Sequence, residues 1–410
     1  QRAVVVRNQR PFTRCGRFCR PDEKPRTAEL KRVKAGTYVS AALIYYGSMS
    51  LLYGAFALWL WAGLHRLRRQ PRTVDQPRVA VIIPARNEAK TLGRCLDALK
   101  RQTYPSDRYE ILVVDDDSSD DTAAVALAHG VRCVLSTPLP SGWSPKKAAL
   151  HLGIQRSQAE IILTTDADCV APARWIETMI SYFGEKVGVV VSWVDIESTG
   201  ALLSRLEALD AWSFQVVGAG AIGHQQPFLA NGANWGYRRA LYDQAGGFCG
   251  IEAAASGDDD LLLQKMRRRE YSVAFADEAD CRVRTTPCVS LSAFLQQRLR
   301  WASKTTLYPF SIIALEGFIF LYNASLLLLA ILVFFRPTWL FFFLVKIFCD
   351  AGLLHRSGAP PGRKNLVDFL LAQWWQVLYT LLVGLLAWRG RFVWKGRRYT
   401  RGKLIEEKRI

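Results

Sequence analysis

Ten carboxylates stand in three short clusters along this 410-residue chain: "DDDSSDD" at 115–121, "DAD" at 166–168 and "GDDD" at 257–260. The first two each follow a short apolar run. Carboxylates at such spacing can hold a divalent cation, accept hydrogen bonds from hydroxyls and N–H groups, or act as general bases. An isolated D-x-D triplet is more often a turn or helix cap. The location of the first two at the ends of apolar runs gives them their interest.

The elements that would position them are legible from periodicity. From Arg78 onward, β-branched runs alternate with amphipathic windows. "RVAVIIP" predicts a strand, and "EAKTLGRCLDALKRQ" a helix with Leu92, Cys95, Leu96 and Leu99 on one face. "YEILVVDD", "VRCVLS" and "EIILTTD" predict further strands, with "DTAAVALAHG" and "KKAALHLGIQRS" as helices between them. Buried strands separated by helices imply a mostly parallel α/β sheet with right-handed crossovers. Ligands of such sheets bind beyond the carboxyl ends of the strands, where "PARNE", "DDDSSDD" and "DAD" fall. Residues two apart in extended backbone share a face, so Asp166 and Asp168 are expected to point into one site.

Composition bounds the rest. Half of the residues are apolar, mean hydropathy is +0.05 and net charge is +18. One α/β domain with membrane segments fits that balance. The expected organisation is a basic arm at 1–36, disordered or foreign to the native chain, and a membrane helix at 37–64. The α/β domain spans 78–305 and closes in an interfacial helix at about 291–305. C-terminal membrane segments follow at about 310–335, 338–354 and 367–388, then a basic tail at 389–410. Basic flanks beside apolar segments are expected to face anionic lipid headgroups. No nucleic-acid-binding motif competes for that charge. The nine cysteines are scattered, and the close pair Cys15 and Cys19 lacks a partner pair at zinc spacing.

Seven stretches occur in one order: "PARNE" (84–88), "VVDDDSSDDT" (113–122), "PKKAAL" (145–150), "DAD" (166–168), "NGANWGYRRALYDQAGGF" (231–248), "GDDD" (257–260) and "QRLRW" (297–301). Together they resemble a membrane-bound family 2 glycosyltransferase of the D-x-D and Q-x-x-R-W type, over roughly 78–305. The resemblance implies a GT-A nucleotide-diphospho-sugar transferase fold, a mixed and mostly parallel sheet flanked by helices, with transmembrane helices at both ends.

It also implies roles. Asp168 would hold a divalent metal, Mg or Mn, and Asp166 would reach the ribose or sugar. Pro84, Arg86, Glu88, Asp115 and Asp116 would receive the nucleoside, and Lys146 and Lys147 the diphosphate at a helix start. Asp259 would be the general base beside Asp258, although "GDDD" in place of the family's E-D pair leaves Asp258 or Asp260 open for that part. Asn234 and Trp235 would touch donor sugar or acceptor, while Gln297, Arg300 and Trp301 would form a gate. The structural alternatives are a helix cap from Ser119 or Asp120 and an amphipathic helix "LSAFLQQRLRWASK" lying on the membrane.

The function so implied is inverting transfer from a nucleotide sugar, a UDP-sugar being favoured, to a membrane-associated lipid, giving a glycolipid of the cell envelope. A processive polysaccharide synthase is the alternative, and a non-catalytic membrane scaffold the less favoured one. Cytosolic nucleotide sugars place the domain on the cytoplasmic side of a multi-pass protein of the cell (inner) membrane. A cytosolic tail is favoured too, which requires that segment 338–354 or 369–388 not cross.

Overall fold

In the computed structural model, the described residues are 23–67, 72–136, 139–267, 270–333, 337–360 and 365–407. Residues 1–22 of the expected arm at 1–36, with Cys15 and Cys19, lie outside them. The chain divides into two compact units, residues 1–49 and 50–410. The described part of the first is the beginning of one long helix, α1 (Glu23–Leu67), which starts inside the stretch read as an arm.

The second unit contains the α/β domain. Its elements run β1 (Val79–Ala85), α2 (Leu92–Lys100), β2 (Tyr109–Asp115), α3 (Thr122–Ala128), β3 (Arg132–Leu135), α4 (Pro145–Gln155), β4 (Ile161–Thr164), α5 (Trp175–Ser181), β5 (Val187–Ser192), β6 (Val194–Ile196) and α6 (Leu202–Gly223). Then follow β7 (Trp235–Arg238), α7 (Arg239–Gln244), α8 (Asp260–Met266), β8 (Ser272–Ala276), β9 (Val283–Thr285) and α9 (Leu291–Ala302). The C-terminal part comprises α10 (Phe310–Val333), α11 (Leu340–Arg356), α12 (Leu366–Ala387), β10 (Arg391–Trp394), β11 (Arg397–Thr400) and β12 (Lys403–Glu407).

Seven strands form one sheet in the order β3-β2-β1-β4-β7-β5-β8. β7 runs antiparallel to both of its neighbours, and the remaining pairs are parallel. The fold is therefore the mixed, mostly parallel sheet expected. The chain winds outward from β1 through β2 to β3, then crosses to place β4 on the other side of β1. That reversal opens a crevice beyond the carboxyl ends of β1 and β4.

Both faces of the central strands are covered, which explains their continuous apolar sequence. Leu92, Cys95, Leu96 and Leu99 of α2 and Trp175 and Met179 of α5 pack on one face. Ile154 of α4, Trp212 and Val216 of α6, and Leu64 and Leu67 of α1 pack on the other. α1 and α6 cross closely because glycines line the contact: a Cβ on Gly63 would stand 1.9 Å from the Gly220 carbonyl oxygen. β3 is an edge strand with exposed ends rather than a buried one.

Among the described residues, four helices are long and apolar enough to cross a membrane: Thr37–Leu67, Phe310–Ala330, Pro337–Arg356 and Leu366–Ala387. The third, expected at about 338–354, contains Lys346 and Asp350. The two side chains pair within one helical turn at 2.6 Å, which reduces the cost of both charges.

The basic tail departs from expectation. It folds into a three-stranded antiparallel sheet, β10-β11-β12, packed against α9 and α12 through Phe392 and Tyr399. Its charges turn toward the α/β domain, as described below, and not only toward lipid. For the same reason the apolar face of α9 is not simply a membrane floor: Phe294 and Leu299 are covered by Tyr379, Val383 and the tail sheet.

Candidate active site

The crevice is lined from the strand ends upward. β4 stops at Thr164, so Asp166 and Asp168 sit in the turn beyond it rather than in extended backbone. Turn geometry, not strand alternation, delivers both carboxylates to one cavity. The Lys146 ammonium stands 2.9 Å from Asp166. Asp168 accepts hydrogen bonds from the hydroxyls of Thr285 (3.1 Å) and Thr286 (3.5 Å). The β6–β9 pair and the Val170–Arg284 bridge bring those threonines there. Among the described residues Asp168 forms no ion pair. Burial, with Asp166 and Glu88 nearby, pushes its carboxyl up to about 6.

α8 begins at the acidic run and separates its three members. Asp259 caps the helix, accepting from the N–H of Asp260 at 2.7 Å and from the N–H of Gly232 at 2.9 Å. It lines the cavity. Asp258 is buried against Lys146 at 3.1 Å. Burial raises its carboxyl, but Lys146, Arg300 and Lys147 overcome that and hold it down at about 2. Asp260 is buried, paired with Lys304 and bonded by the Tyr308 hydroxyl at 2.6 Å. Burial pushes Asp260 up to about 6.

Lys146 and Lys147 part company. Lys146 follows Pro145 at the start of α4 and faces the carboxylates. Lys147 does not line the cavity. Its ammonium is buried and donates to the carbonyls of Ile251, Ala254 and Ser256 at 2.7–2.9 Å, with burial lowering it to about 8.

Asn234 and Trp235 are likewise placed in the core and not at the site. Asn234 is fully buried, donating to the carbonyls of Trp193 and Cys281, both at 2.7 Å, and accepting from the Trp175 indole at 2.9 Å. Trp235 lies in β7 among Tyr237 and the α4–α6 core. The cavity is instead approached by the preceding loop, Asn231 to Ala233.

At the ends of β1 and β2, Arg86 donates to the carbonyls of Asp116 (2.5 Å) and Asp117 (2.9 Å) and braces the turn after β2. Pro84 is half-buried at the end of β1. Asp115 accepts from the N–H of Ser118 at 3.2 Å. Asp120, rather than Ser119, serves the start of α3, accepting from the Thr122 N–H at 3.1 Å. Glu88 pairs with Lys395, and Asp116 is held by both guanidinium nitrogens of Arg397. Both partners come from the tail sheet. Sequence reading missed them, because a basic run beside an apolar segment carries a stronger lipid signal than a tertiary one.

α9 presents Gln297, Arg300 and Trp301 to the cavity. Arg300 also lies over the Trp394 ring at 4.9 Å. Arg298 was not anticipated. Two residues on a helix are roughly 200° apart, so Arg298 and Arg300 cannot face the same way. Arg298 turns inward, pairs with Asp210 of α6 and lies 4.2 Å over the Trp301 ring. Tyr379 of α12 donates its hydroxyl to the same Asp210.

One cavity of about 1350 Å³ joins these groups to apolar space. Its polar end holds Lys146, Asp166, Asp168, Asp258 and Asp259; its apolar end holds Phe56, Phe320, Leu353 and Phe369. The described residues contain no cluster of three or more His, Cys, Asp or Glu side chains able to hold a metal by themselves. Two carboxylates of which one lacks a cation partner fit a divalent ion only if a ligand supplies further oxygens.

Comparison with known proteins agrees with this architecture. Residues 80–246 match the family model described as glycosyl transferase family 2. A probable glycosyltransferase, YdaM, of Bacillus subtilis is 27% identical over 276 residues, covering 63% of this chain and 62% of its own. Glycosyltransferase AglE of Haloferax volcanii is 37% identical over 110 residues, 27% of this chain and 36% of its own. A 4,4'-diaponeurosporenoate glycosyltransferase of Staphylococcus haemolyticus is 37% identical over 129 residues, 29% of this chain and 34% of its own. The matched segments thus span less than two thirds of each relative. Among solved structures, the mannosyltransferase PcManGT of Pyrobaculum calidifontis superposes with a TM-score of 0.50 at 19% identity, over 85% of this chain and 97% of its own. The fold is that of the GT-A nucleotide-diphospho-sugar transferases. Residues 80–246 belong to glycosyltransferase family 2.

Proposed function

We propose that the protein transfers a sugar from a nucleoside diphosphate sugar to a lipid acceptor that reaches the site from within the membrane. The observation that carries this reading is the single cavity, which runs from the aspartates of the α/β domain to apolar residues of the membrane-length helices. An apolar acceptor fits the second end, whereas a polysaccharide channel would call for a polar lining.

Asp259 is the general base. Its N–H donors fix the carboxylate at the helix start, where it takes the proton of an acceptor hydroxyl attacking the anomeric carbon from the face opposite the leaving diphosphate; the configuration inverts. Lys146, anchored by Asp166 and Asp258, and Arg300 meet the charge of the diphosphate. A divalent cation held by Asp168, with Asp166 and donor oxygens, would supply charge neutralisation to the leaving group. PcManGT, whose likeness concerns the fold, was solved in complex with GDP-Man and Mn2+. The acceptor named for the Staphylococcus relative, diaponeurosporenoate, supports an apolar substrate.

The chain path supports a multi-pass arrangement in the cell membrane with the domain and tail on one side. Tyr308, just before α10, bonds Asp260, and Ser357, just after α11, accepts from the Trp212 indole at 2.9 Å. α10 and α11 therefore leave the domain and return to it. α12 follows the domain along its length, through Asp368 with Arg205 (3.1 Å), then Tyr379 with Asp210, and finally the tail sheet. An even number of crossings between domain and tail results, with α12 lying in the interface. Cytosolic donor supply places that side in the cytoplasm.

The test is a panel of nucleotide sugars with Mn²⁺ or Mg²⁺ and a membrane lipid extract, read by nucleotide release and glycolipid mass. A mass increase of one sugar on a lipid supports the reading. A ladder of sugars, or turnover that survives in Asp259→Asn, overturns it.

A further inference from the structure

The reaction leaves part of the cavity wall unused. Lys346 of α11 is 1% exposed and donates to Asp350 and to the side-chain oxygens of Gln373 (2.6 Å) and Gln376 (3.3 Å) of α12. Asp350 also accepts from the Tyr53 hydroxyl of α1. The Tyr53 ring stacks on Tyr322 of α10 at 4.6 Å between centroids, and Asn323 is the next residue of that helix. Tyr53, Asn323, Lys346, Asp350, Gln373 and Gln376 all line the cavity that holds Asp259.

Polar side chains inside membrane-length helices are costly unless partnered, and they face bundle interiors or cavities. Hydrogen bonds between helices account for part of this cluster. Two features go further. Asn323 is 3% exposed, its Nδ2 donates to the Ile319 carbonyl at 2.8 Å, and among the described residues its Oδ1 has no hydrogen-bond partner. A buried acceptor of that kind is unfavourable until a donor fills it. Gln373 and Gln376 both give their oxygens to the ammonium, which leaves N–H groups for any other partner. The cluster is also balanced in charge, since Lys346 and Asp350 stand at 2.6 Å, and a further buried charge there would go uncompensated. Such a wall suits an uncharged group that donates to Asn323 and accepts from the glutamine amides. A hydroxyl or an amide does both. By helical rise, Asn323 lies about 20 Å along α10 from its domain end, and Lys346 about 15 Å along α11 from its own.

We propose that this cluster is a second acceptor subsite: the lipid that brings its reacting hydroxyl to Asp259 carries another hydroxyl or an amide deep in its apolar body, held by Asn323 Oδ1 and the amides of Gln373 and Gln376. This rests on the lipid-acceptor reading above and narrows the substrate class within it. Lys346 and Asp350 are positioning residues, which orient the two glutamines. A plain hydrocarbon chain would fill the same space and leave the Asn323 oxygen unpaired, so the subsite selects by polarity as well as by length.

The full chain in detergent, with Mn²⁺ and the nucleotide sugar it turns over, is given a long-chain primary alcohol or the α,ω-diol of the same length, about 20 Å between ends. The diol is expected to show a KM about tenfold lower, the scale of one or two net hydrogen bonds. Asn323 bonds within its own helix, so Asn323→Leu is expected to fold and to bring the diol KM up to that of the monoalcohol. Gln376→Leu leaves Lys346 on Asp350 and Gln373, and it carries the test if the first variant does not fold. The readout is the ratio of the two KM values, which a purely structural role would not move. Equal KM values in the unaltered protein overturn the subsite, as does a diol preference that persists in both folded variants. A preference for the ω-hydroxy acid over the diol overturns the choice of an uncharged group. If only a membrane lipid extract yields glycolipid, the mass spectrum of the acceptor decides: a second hydroxyl or amide supports the subsite, and its absence overturns it. If the donor is hydrolysed and no lipid is glycosylated, the lipid-acceptor reading fails first, and this inference falls with it.

Discussion

Lys146 and Lys147 are neighbours in sequence, yet one ammonium lies 2.9 Å from the Asp166 carboxylate and the other is buried on three backbone carbonyls. Lys146→Met should leave the fold intact and lower donor turnover by about 10²-fold or more, through loss of charge at the diphosphate. Lys147→Met should leave carbonyls of the 251–256 loop unsatisfied, at a cost on the order of 3 kcal/mol. Thermal unfolding in detergent and donor hydrolysis, measured on both variants, separate the two effects.

The acidic run divides in the same manner. Asp259→Asn should reduce kcat by about 10²–10⁴-fold with little change in melting temperature, the range for loss of a general base. Asp260→Asn should act chiefly on stability, since it leaves Lys304 buried beside a neutral group, a cost of roughly 3–5 kcal/mol. The reverse pattern, a dead but stable Asp260→Asn and an active Asp259→Asn, would move the base by one residue.

Asp258 gives the protein an acid limit. Its carboxyl is held at about 2, below the ordinary 3.8. A depressed carboxylate contributes stability above the unfolded value, lost as pH falls through the folded one. Stability should therefore fall by on the order of 2 kcal/mol between about pH 4 and pH 2. Asp258→Asn should flatten that limb in a pH series of denaturant melts.

Helix α9 is held by a buried charge network. Arg298→Met strands the Asp210 carboxylate between α6 and α12 and should cost roughly 3–5 kcal/mol. Asp210→Asn should be similarly costly, and the double variant less than their sum, because the second change removes the unpaired group left by the first. Additive losses would show that the pair is not coupled.

Membrane arrangement is open to a direct test. Reporters placed in the turn at Gly358 and in the hairpin at Gly402 should be accessible from the same side, and one at Pro337 from the other. Labelling of Gly358 and Gly402 from opposite sides would make α12 a crossing helix.

The α/β domain was legible because its signals are local. Uninterrupted β-branched runs such as "VAVIIPA" specify strands buried on both faces. The faces of α2 were marked by Leu92, Cys95, Leu96 and Leu99, all of which are buried. Carboxylates at strand ends marked the crevice in the same way. The individual direction of a side chain was not local: Lys147, Asn234 and Trp235 have the right chemistry for a sugar site and point into the core, where backbone carbonyls and packing claim them.

By itself, the sequence determined the strand–helix alternation, the apolar segments and the placing of acidic clusters beyond strands, since each depends on the periodicity of neighbouring residues. Only the tertiary structure decided which partners each aspartate of 258–260 takes, which arginine of "QRLRW" turns inward, and that the basic tail returns to Asp116. Those outcomes depend on contacts between residues as much as 281 positions apart, such as Arg397 and Asp116. Their energy comes from desolvated charge pairs that exist only once the chain has folded.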